Sequence, residues 1–391
     1  MAAHPGHSAQ VGHPGSGAHP GSGGHPAGIG SVRPEGWVYA SAPMIIYWEL
    51  TTACGLACSH CRATAMPDPG PGELSTTEAI ALLDEITAFG SPLPHVVMTG
   101  GDPLRRSDLR VLIHEAISRG IGVSLAPAVT PLLTRDRLAE LKDDGVAAIS
   151  LSLDGSTPEA HDGLRGVPGT FEATLEAMDW AAEVGMPVQV NTLVTATTAA
   201  DLPAIRDLLT ERTLLRWSLF FLISVGRGST LTELSPGEAE RLMGWLWQVS
   251  ADAPFQVKTT EAMQYRRVAA KALSRTGLSD AEIEAHPLSR GFGIRDGNGI
   301  VFIAHDGTVT PSGFLPLAVG NVRETGLVEI YRDNPTMRDL RDPTLFKGRC
   351  GRCEYQMWCG GSRARAYAWT GDPLESDPLC PYVPRTQKPQ G

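Results

Sequence analysis

Between Met44 and Ile223 the chain repeats one pattern, a short apolar run followed by a helical segment, and this alternation constrains the fold more than any other feature. The runs are Ile45 to Glu49, Val96 to Thr99, Val123 to Ala126, Ala147 to Leu153, Val188 to Val194 and Trp217 to Ile223. Ser75 opens the first helix with Glu78 placed for a capping box, and Ile80, Leu82, Leu83 and Ile86 form its apolar stripe. Further helices are predicted from about Ser107 and near Thr134, Thr170 and Ala199. Six β–α units in about 180 residues imply a parallel sheet. Right-handed crossovers curl such a sheet toward an incomplete barrel, with the chemistry at the carboxyl ends of the strands. The expectation is an α/β fold, a partial (β/α)6 TIM-like barrel.

Directly after the first run stands Ala53-Cys54-Gly55-Leu56-Ala57-Cys58-Ser59-His60-Cys61. Three thiolates in so short a loop can wrap one face of a compact metal cluster. A [4Fe–4S] cube has four irons, so three cysteines leave one iron open for another ligand. Structural zinc normally takes four protein ligands, which makes free or zinc-bound thiols the poorer reading. His60 places a ring beside the open position.

Composition narrows the classes. The chain has 391 residues, 43 acidic and 33 basic side chains and a formal charge of −10, with no long basic run. Nucleic acid is not expected as a partner, because neutralising phosphates needs clustered Lys and Arg. No apolar stretch is long enough to span a bilayer, and Met1-Ala2-Ala3-His4 does not begin an export signal. All 7 cysteines fall into two groups, which reads as metal ligation rather than disulfides. A cytoplasmic, oxygen-sensitive protein without a membrane partner is expected.

Four domains or segments are predicted. Residues 1–32, rich in Gly and Pro with scattered His4, His7, His13, His19 and His25, have too little apolar surface to offset chain entropy and read as disordered. The barrel core occupies 40–230. A helical linker at 231–295 begins at Ser235-Pro236 and carries Leu242, Trp245 and Leu246. Asp306-Gly307, between Ile300 to Ala304 and Thr308 to Thr310, signals a hairpin that opens a small irregular α+β domain at 296–391. That domain holds Cys350, Cys353, Cys359 and Cys380, four ligands for either a zinc ion or a [4Fe–4S] cube.

The Cys-x3-Cys-x2-His-Cys loop at the end of a first strand closely resembles the signature of the radical SAM superfamily. Met98-Thr99-Gly100-Gly101-Asp102-Pro103 resembles that family's Gly-Gly-Glu-Pro segment, with Asp102 in place of the more usual Glu. Ser152-Leu153-Asp154-Gly155, His161-Asp162 and Arg165 resemble a segment of its SPASM and twitch branch, as does Val225-Gly226-Arg227-Gly228. The wording of Gly351 to Tyr355, Cys359 to Tyr367 and Thr370 to Leu374 is similar to enzymes of the alternative haem and haem d1 pathways. The resemblance implies that an electron from the cluster at Cys54, Cys58 and Cys61 cleaves S-adenosylmethionine (SAM) to a 5′-deoxyadenosyl radical, which abstracts hydrogen from substrate. It implies a SAM site at His60, Gly100, Gly101, Asp102, Pro103, Ser152, Arg165 and Asn191. Arg165 would pair with the SAM carboxylate, Asp102 would serve its amino group, and Arg227 would border the adenine or face substrate. The C-terminal cysteines would hold an auxiliary [4Fe–4S] cluster. Phe292, Ser312, Val319 and Ser362 stand where a further cluster would draw ligands, so two clusters in total are expected.

For the substrate, the resemblance implies a tetrapyrrole-like or other carboxylated metabolite, modified by decarboxylation or oxidation. Arg227, Arg266, Arg267, Arg363 and Arg365 are candidates to pair with its carboxylates. The competing reading is a peptide maturase. It would need a separate leader-binding partner, since only 43 residues precede the first strand. A third reading, a non-catalytic iron–sulfur or zinc protein on this scaffold, leaves the SAM-type motifs without a purpose. An electron donor such as flavodoxin or ferredoxin is the expected partner.

Overall fold

The structure, a computed structural model, describes residues 37–385 apart from 64, 287, 288 and 290. The expectation for residues 1–32 lies outside the described residues. The chain runs β1 (Ile45–Glu49), α1 (Thr76–Thr87), β2 (His95–Thr99), α2 (Leu109–Ser118), β3 (Val123–Leu125), α3 (Arg135–Asp143) and β4 (Ile149–Ser152). Next come α4 (Pro158–Arg165), α5 (Thr170–Glu183), β5 (Val188–Val194), α6 (Leu202–Thr210) and β6 (Arg216–Phe221). Then follow α7 (Pro236–Asp252), β7 (Gln256–Thr260), α8 (Gln264–Arg275), α9 (Asp280–Ala285), β8 (Ile300–Ile303), β9 (Thr308–Thr310) and β10 (Gly320–Asn321). The last helices are α10 (Leu327–Asp333), α11 (Pro335–Arg341), α12 (Gly348–Gly351) and α13 (Arg363–Thr370).

All the strands join one 10-stranded sheet in the order β10-β9-β8-β1-β2-β3-β4-β5-β6-β7. Pairing is parallel from β8 through β1 to β7 and antiparallel only in β8–β9–β10. The parallel part follows from the helical crossovers, because a parallel neighbour cannot be reached by a tight turn. Side chains alternate along the strands, and the alternation separates two environments. Val96, Met98, Ile149, Leu151, Val188 and Val190 are fully buried on the outer face, beneath Leu83, Leu112, Leu138, Ala177, Ile205 and Leu246 of the helices. Each such aliphatic side chain contributes about 1.5–3 kcal/mol by leaving water. Val97, Thr99, Ser150, Ser152, Gln189 and Asn191 face the other side and are only half-buried. A sheet packed on both faces would show continuous apolar runs. This inner face instead surrounds a hollow.

The helix starts follow local chemistry. Ser75 and Ser235 each close a capping box, with Glu78 and Glu238, and Thr134 caps α3. Two elements differ from the sequence expectation. The segment 231–295 is not wholly helical: it includes β7, whose Gln-Val-Lys-Thr-Thr carries too little apolar signal to stand out, yet pairs with β6 over five residues. The hairpin that opens 296–391 is continuous with the core sheet, with β8 pairing β1 from Ile45↔Ile300 to Trp48↔Ile303. An uncovered β1 would leave a row of unpaired N–H and C=O groups. No described helix is long and apolar enough to cross a membrane.

Candidate functional site

Thr99 of β2, Ala126 after β3, Ser152 of β4, Asn191 of β5 and Phe220 of β6 line a single hollow together with Cys54, Cys58 and Cys61. Convergence of five consecutive strand ends and the loop after β1 requires a curved sheet. The hollow sits at the carboxyl ends, where the βα loops meet.

The cysteine loop is held by backbone contacts from distant segments. Cys54 N donates to the Met66 carbonyl (2.7 Å), Ala57 N to the Arg165 carbonyl (3.2 Å) and Ser59 N to the Leu164 carbonyl (2.9 Å), while Arg227 N donates to the Cys61 carbonyl (3.1 Å). Two glycines permit this close approach. A Cβ on Gly101 would lie 2.3 Å from the Ala53 carbonyl oxygen, and one on Gly226, at φ 54°, would lie 2.5 Å from that of Arg62. The loops after β2 and β6 thus press glycine backbone directly against the cysteine loop.

The electrostatics centre on Asp154, which is 2% exposed. Its Oδ1 accepts from Leu193 N (2.7 Å) and its Oδ2 from Arg165 Nη2, with His60 Nε2 at 3.9 Å. Burial acts to raise this carboxyl, but the Arg165 guanidinium, helped by the Leu193 N–H, outweighs it and its pKa falls below the usual range. Arg165 also donates Nη1 to Cys58 Sγ at 3.7 Å. Burial lowers the His60 pKa to about 4, leaving a neutral ring at neutral pH. Burial raises the Cys54 thiol, a cost that iron removes by replacing the proton.

Of the residues singled out from the sequence, His60, Gly100, Gly101, Ser152, Arg165 and Asn191 line the hollow beside the three cysteines. Asp102 and Pro103 do not. The Asp102 carboxylate is fully buried behind the wall of the hollow, accepting from Leu104 N (3.1 Å), Ala128 N (3.3 Å) and Thr130 Oγ1 (3.0 Å). As the N-cap of the short turn 103–105, it pins the loop after β3 to the loop after β2. The Arg165 guanidinium serves Asp154 and Cys58 with its two terminal nitrogens and keeps Nε unpartnered at the hollow. Sequence reading gave no role to Asp154, nor to Phe220, Phe221 and Phe314, which give the hollow an aromatic wall. The Ser-x-Asp-Gly wording was the available signal for Asp154. Nothing local marks the phenylalanines, which meet only in the fold.

Cys350, Cys353, Cys359 and Cys380 line a second hollow with Gly360, Gly361 and Arg267. Gly360 and Gly361 are both left-handed (φ 70° and 68°), and a Cβ on Gly361 would sit 3.2 Å from Cys350 Sγ. This double turn folds the chain after Cys359 back toward Cys350. Burial raises the Cys359 thiol well above its usual range and that of Cys380 to about 11. Ser362 is fully buried, caps α13 and donates Oγ to Glu261 Oε2 (2.5 Å). Ser312 accepts from Phe314 N (3.3 Å), Val319 is in the core, and Phe292 stacks against Trp358.

Three of the five candidate carboxylate-binding arginines are engaged inside the protein. Arg267 pairs with Glu240, Arg365 with Glu233 (2.9 Å), and Arg363 binds the Pro373 and Glu375 carbonyls (3.0 and 2.7 Å). Arg266 donates Nη1 to the Trp358 carbonyl (3.3 Å) and forms no ion pair among the described residues. Arg227 keeps Nε and Nη2 buried at the hollow without a hydrogen-bond partner among the described residues.

Among the described residues no group of three or more His, Cys, Asp or Glu side chains converges on a single ion. The two cysteine groups instead each border a hollow, and soft thiolates suit an iron–sulfur cluster. At the first hollow the unpartnered polar atoms His60 Nδ1, Arg165 Nε and Arg227 Nε fit a polar, charged ligand beside such a cluster.

Comparison with known proteins agrees with this arrangement. Residues 48–209 match the family model of the radical SAM superfamily, and residues 295–354 match that of SPASM, an iron–sulfur cluster-binding domain. An AdoMet-dependent heme synthase of Methanosarcina barkeri is 37% identical over 345 residues, 88% of this chain and 98% of the relative. An Fe-coproporphyrin III synthase of the same organism is 32% identical over 352 residues, 86% of this chain and 87% of that one. SuiB of Streptococcus suis, solved with bound S-adenosylmethionine, shares the fold with a TM-score of 0.68 at 16% identity, over 88% of this chain and 78% of its own.

Proposed function

The chain belongs to the radical SAM superfamily and carries a SPASM domain, and on that premise we propose that it decarboxylates or otherwise oxidatively modifies a tetrapyrrole or similar carboxylated metabolite. It is an enzyme that binds a [4Fe–4S] cluster and SAM, with further iron–sulfur binding in its SPASM part. When bound, the cluster and SAM together supply a radical able to abstract hydrogen from an unactivated carbon.

In our reading Cys54, Cys58 and Cys61 hold the first cluster and Cys350, Cys353, Cys359 and Cys380 one auxiliary cluster. Ser362, Ser312, Phe292 and Val319, engaged in caps and core packing, supply no third. Gly100 and Gly101 bring backbone to SAM, Ser152 and Asn191 offer side-chain hydrogen bonds, and His60 borders it as a neutral ring. Arg165, tied to Asp154, keeps a positive charge beside Cys58. Phe220, Phe221 and Phe314 exclude water from the reacting carbon. The chain divides into a core at 40–230, a linker at 231–295 and a cluster-binding segment at 296–391. A flavodoxin or ferredoxin delivers electrons in the cytoplasm.

The observation that carries this reading is the one hollow shared by three cysteines and the strand-end residues Gly100, Gly101, Ser152 and Asn191. The relatives that match nearly full length support the tetrapyrrole half. The test is anaerobic reconstitution, reduction with dithionite and incubation with SAM and Fe-coproporphyrin III. The expected products are 5′-deoxyadenosine and a porphyrin that has lost a carboxyl group. Deoxyadenosine with unchanged porphyrin would overturn the tetrapyrrole half and return the peptide reading.

A further inference from the structure

Registered residues on neighbouring parallel strands point to the same side of the sheet. Ser152 pairs with Asn191, Asn191 with Ser218, and Ser218 with Lys258, so one ladder crosses β4, β5, β6 and β7. Ser152 and Asn191 line the hollow, and Lys258 therefore points to the same inner side. The adjacent ladder runs Ser150, Gln189, Arg216, Gln256, and Ser150 again lines the hollow. Arg216 and Lys258 thus stand diagonally on one inner wall.

Arg216 is 3% exposed and donates only to neutral amides, Nη1 to Gln189 Oε1 (3.1 Å) and Nη2 to Gln256 Oε1 (2.9 Å). Arg266, in the first turn of α8, donates Nη1 to the Trp358 carbonyl (3.3 Å). Among the described residues none of the three forms an ion pair, whereas Arg165, Arg267 and Arg365 all do. Burial, then Arg216 and Arg266, holds the Lys258 ammonium down to about 7, yet Lys258 and Arg266 stay half-buried rather than sealed. The acids that act on Arg266 form no ion pair with it: Asp296 Oδ2 accepts from Arg363 N and Ala364 N, its Oδ1 makes no hydrogen bond among the described residues, and Glu261 is held largely protonated by burial. Gathering like charges beside neutral acceptors is unfavourable unless an anion joins them.

We propose that Arg216, Lys258 and Arg266 form a carboxylate-binding subsite on the inner wall of the barrel, holding one substrate carboxylate while another part of the substrate faces Ser152 and Asn191. The guanidinium forks match a carboxylate in shape and charge, and the ammonium adds a third donor. This rests on the reading of a carboxylated substrate and names the residues that select it. A substrate with several carboxylates that reaches from Ser152 and Asn191 to this wall is fixed in direction as well as identity.

The test is titration of the reconstituted protein with Fe-coproporphyrin III and with its tetramethyl ester, for wild type, Lys258→Met, Arg216→Met and Lys258→Arg. Iron content equal to wild type reports that each variant is folded. The methionine variants are expected to bind the free acid about tenfold more weakly or worse, as loss of one charged hydrogen bond implies. Lys258→Arg should recover most of the affinity, and the ester should bind all forms alike. Unchanged affinity for the acid in both methionine variants overturns the subsite and leaves the tetrapyrrole reading standing. If wild type does not bind Fe-coproporphyrin III, the tetrapyrrole reading fails, and the subsite is judged by cyanate modification of Lys258 read by mass spectrometry. Protection of Lys258 by succinate then supports the subsite, and its absence overturns it.

Discussion

Arg165 reaches Cys58 across 107 residues of sequence, Nη1 to Sγ at 3.7 Å, while its other terminal nitrogen holds the buried Asp154. One side chain therefore couples the end of α4 to the cysteine loop and to the loop after β4. A hydrogen bond and a positive charge at a ligand sulfur favour the reduced cluster.

Replacing Arg165 by Met is expected to lower the midpoint potential of the first cluster. It should also destabilise the protein by about 3–5 kcal/mol, because Asp154 is left buried and unpaired. The double variant with Asp154→Asn should regain much of the stability but not the potential. Denaturant unfolding and a redox titration followed by electron paramagnetic resonance, both anaerobic, separate the two effects. A single variant with wild-type potential would show that the sulfur contact has no electronic role.

Gly101→Ala and Gly226→Ala place a methyl group against the backbone of the cysteine loop, at 2.3 and 2.5 Å from carbonyl oxygens. Displacing the loop should cost about 1–3 kcal/mol and reduce iron toward half the wild-type content. Gly163→Ala is the control, since its Cβ would meet nothing within 4 Å and it lies inside α4. That variant should keep its iron and gain about 0.4–1 kcal/mol.

Two cubes predict about eight irons per chain. Cys58→Ala should abolish SAM cleavage and retain the auxiliary iron. Cys353→Ala should retain part of the SAM cleavage and block product formation. Iron near half that value together with one zinc in the wild-type protein would refute the auxiliary assignment.

Glu261, at φ 56° and 2% exposed, accepts from Ser362, and burial with the nearby Asp296 raises its pKa to about 8. A carboxyl whose folded pKa is raised favours the folded state below its unfolded pKa and loses that contribution as pH rises through the folded value. Stability is therefore expected to fall between about pH 5 and pH 8 from this group. Glu261→Gln should flatten the profile, read from denaturant midpoints at several pH values. An equal slope in the variant would assign the pH dependence to other groups.

The core strands were legible because apolar runs of β-rich residues are a local signal, and the capping boxes at Ser75 and Ser235 fixed helix starts for the same reason. β7 was not legible. Its Lys258 and Thr260 face the inner side, so the polar residues that hide it from a hydrophobic pattern belong to the wall of the hollow. The motif around Asp102 states residue type and spacing, not side-chain direction. That direction is set by Ala128 and Thr130, which arrive from the next strand.

The alternating β–α architecture, the two cysteine groups and the chemistry that those thiolates suit can be read from the chain alone, since periodicity and ligand spacing are properties of neighbouring residues. Which charges are paired within the protein emerges only in the fold. Arg165, Arg267 and Arg365 form ion pairs within the protein, whereas Arg216, Lys258 and Arg266 form none among the described residues. The physical reason is that an ion pair depends on distance in space, and here strand register and helix placement set that distance.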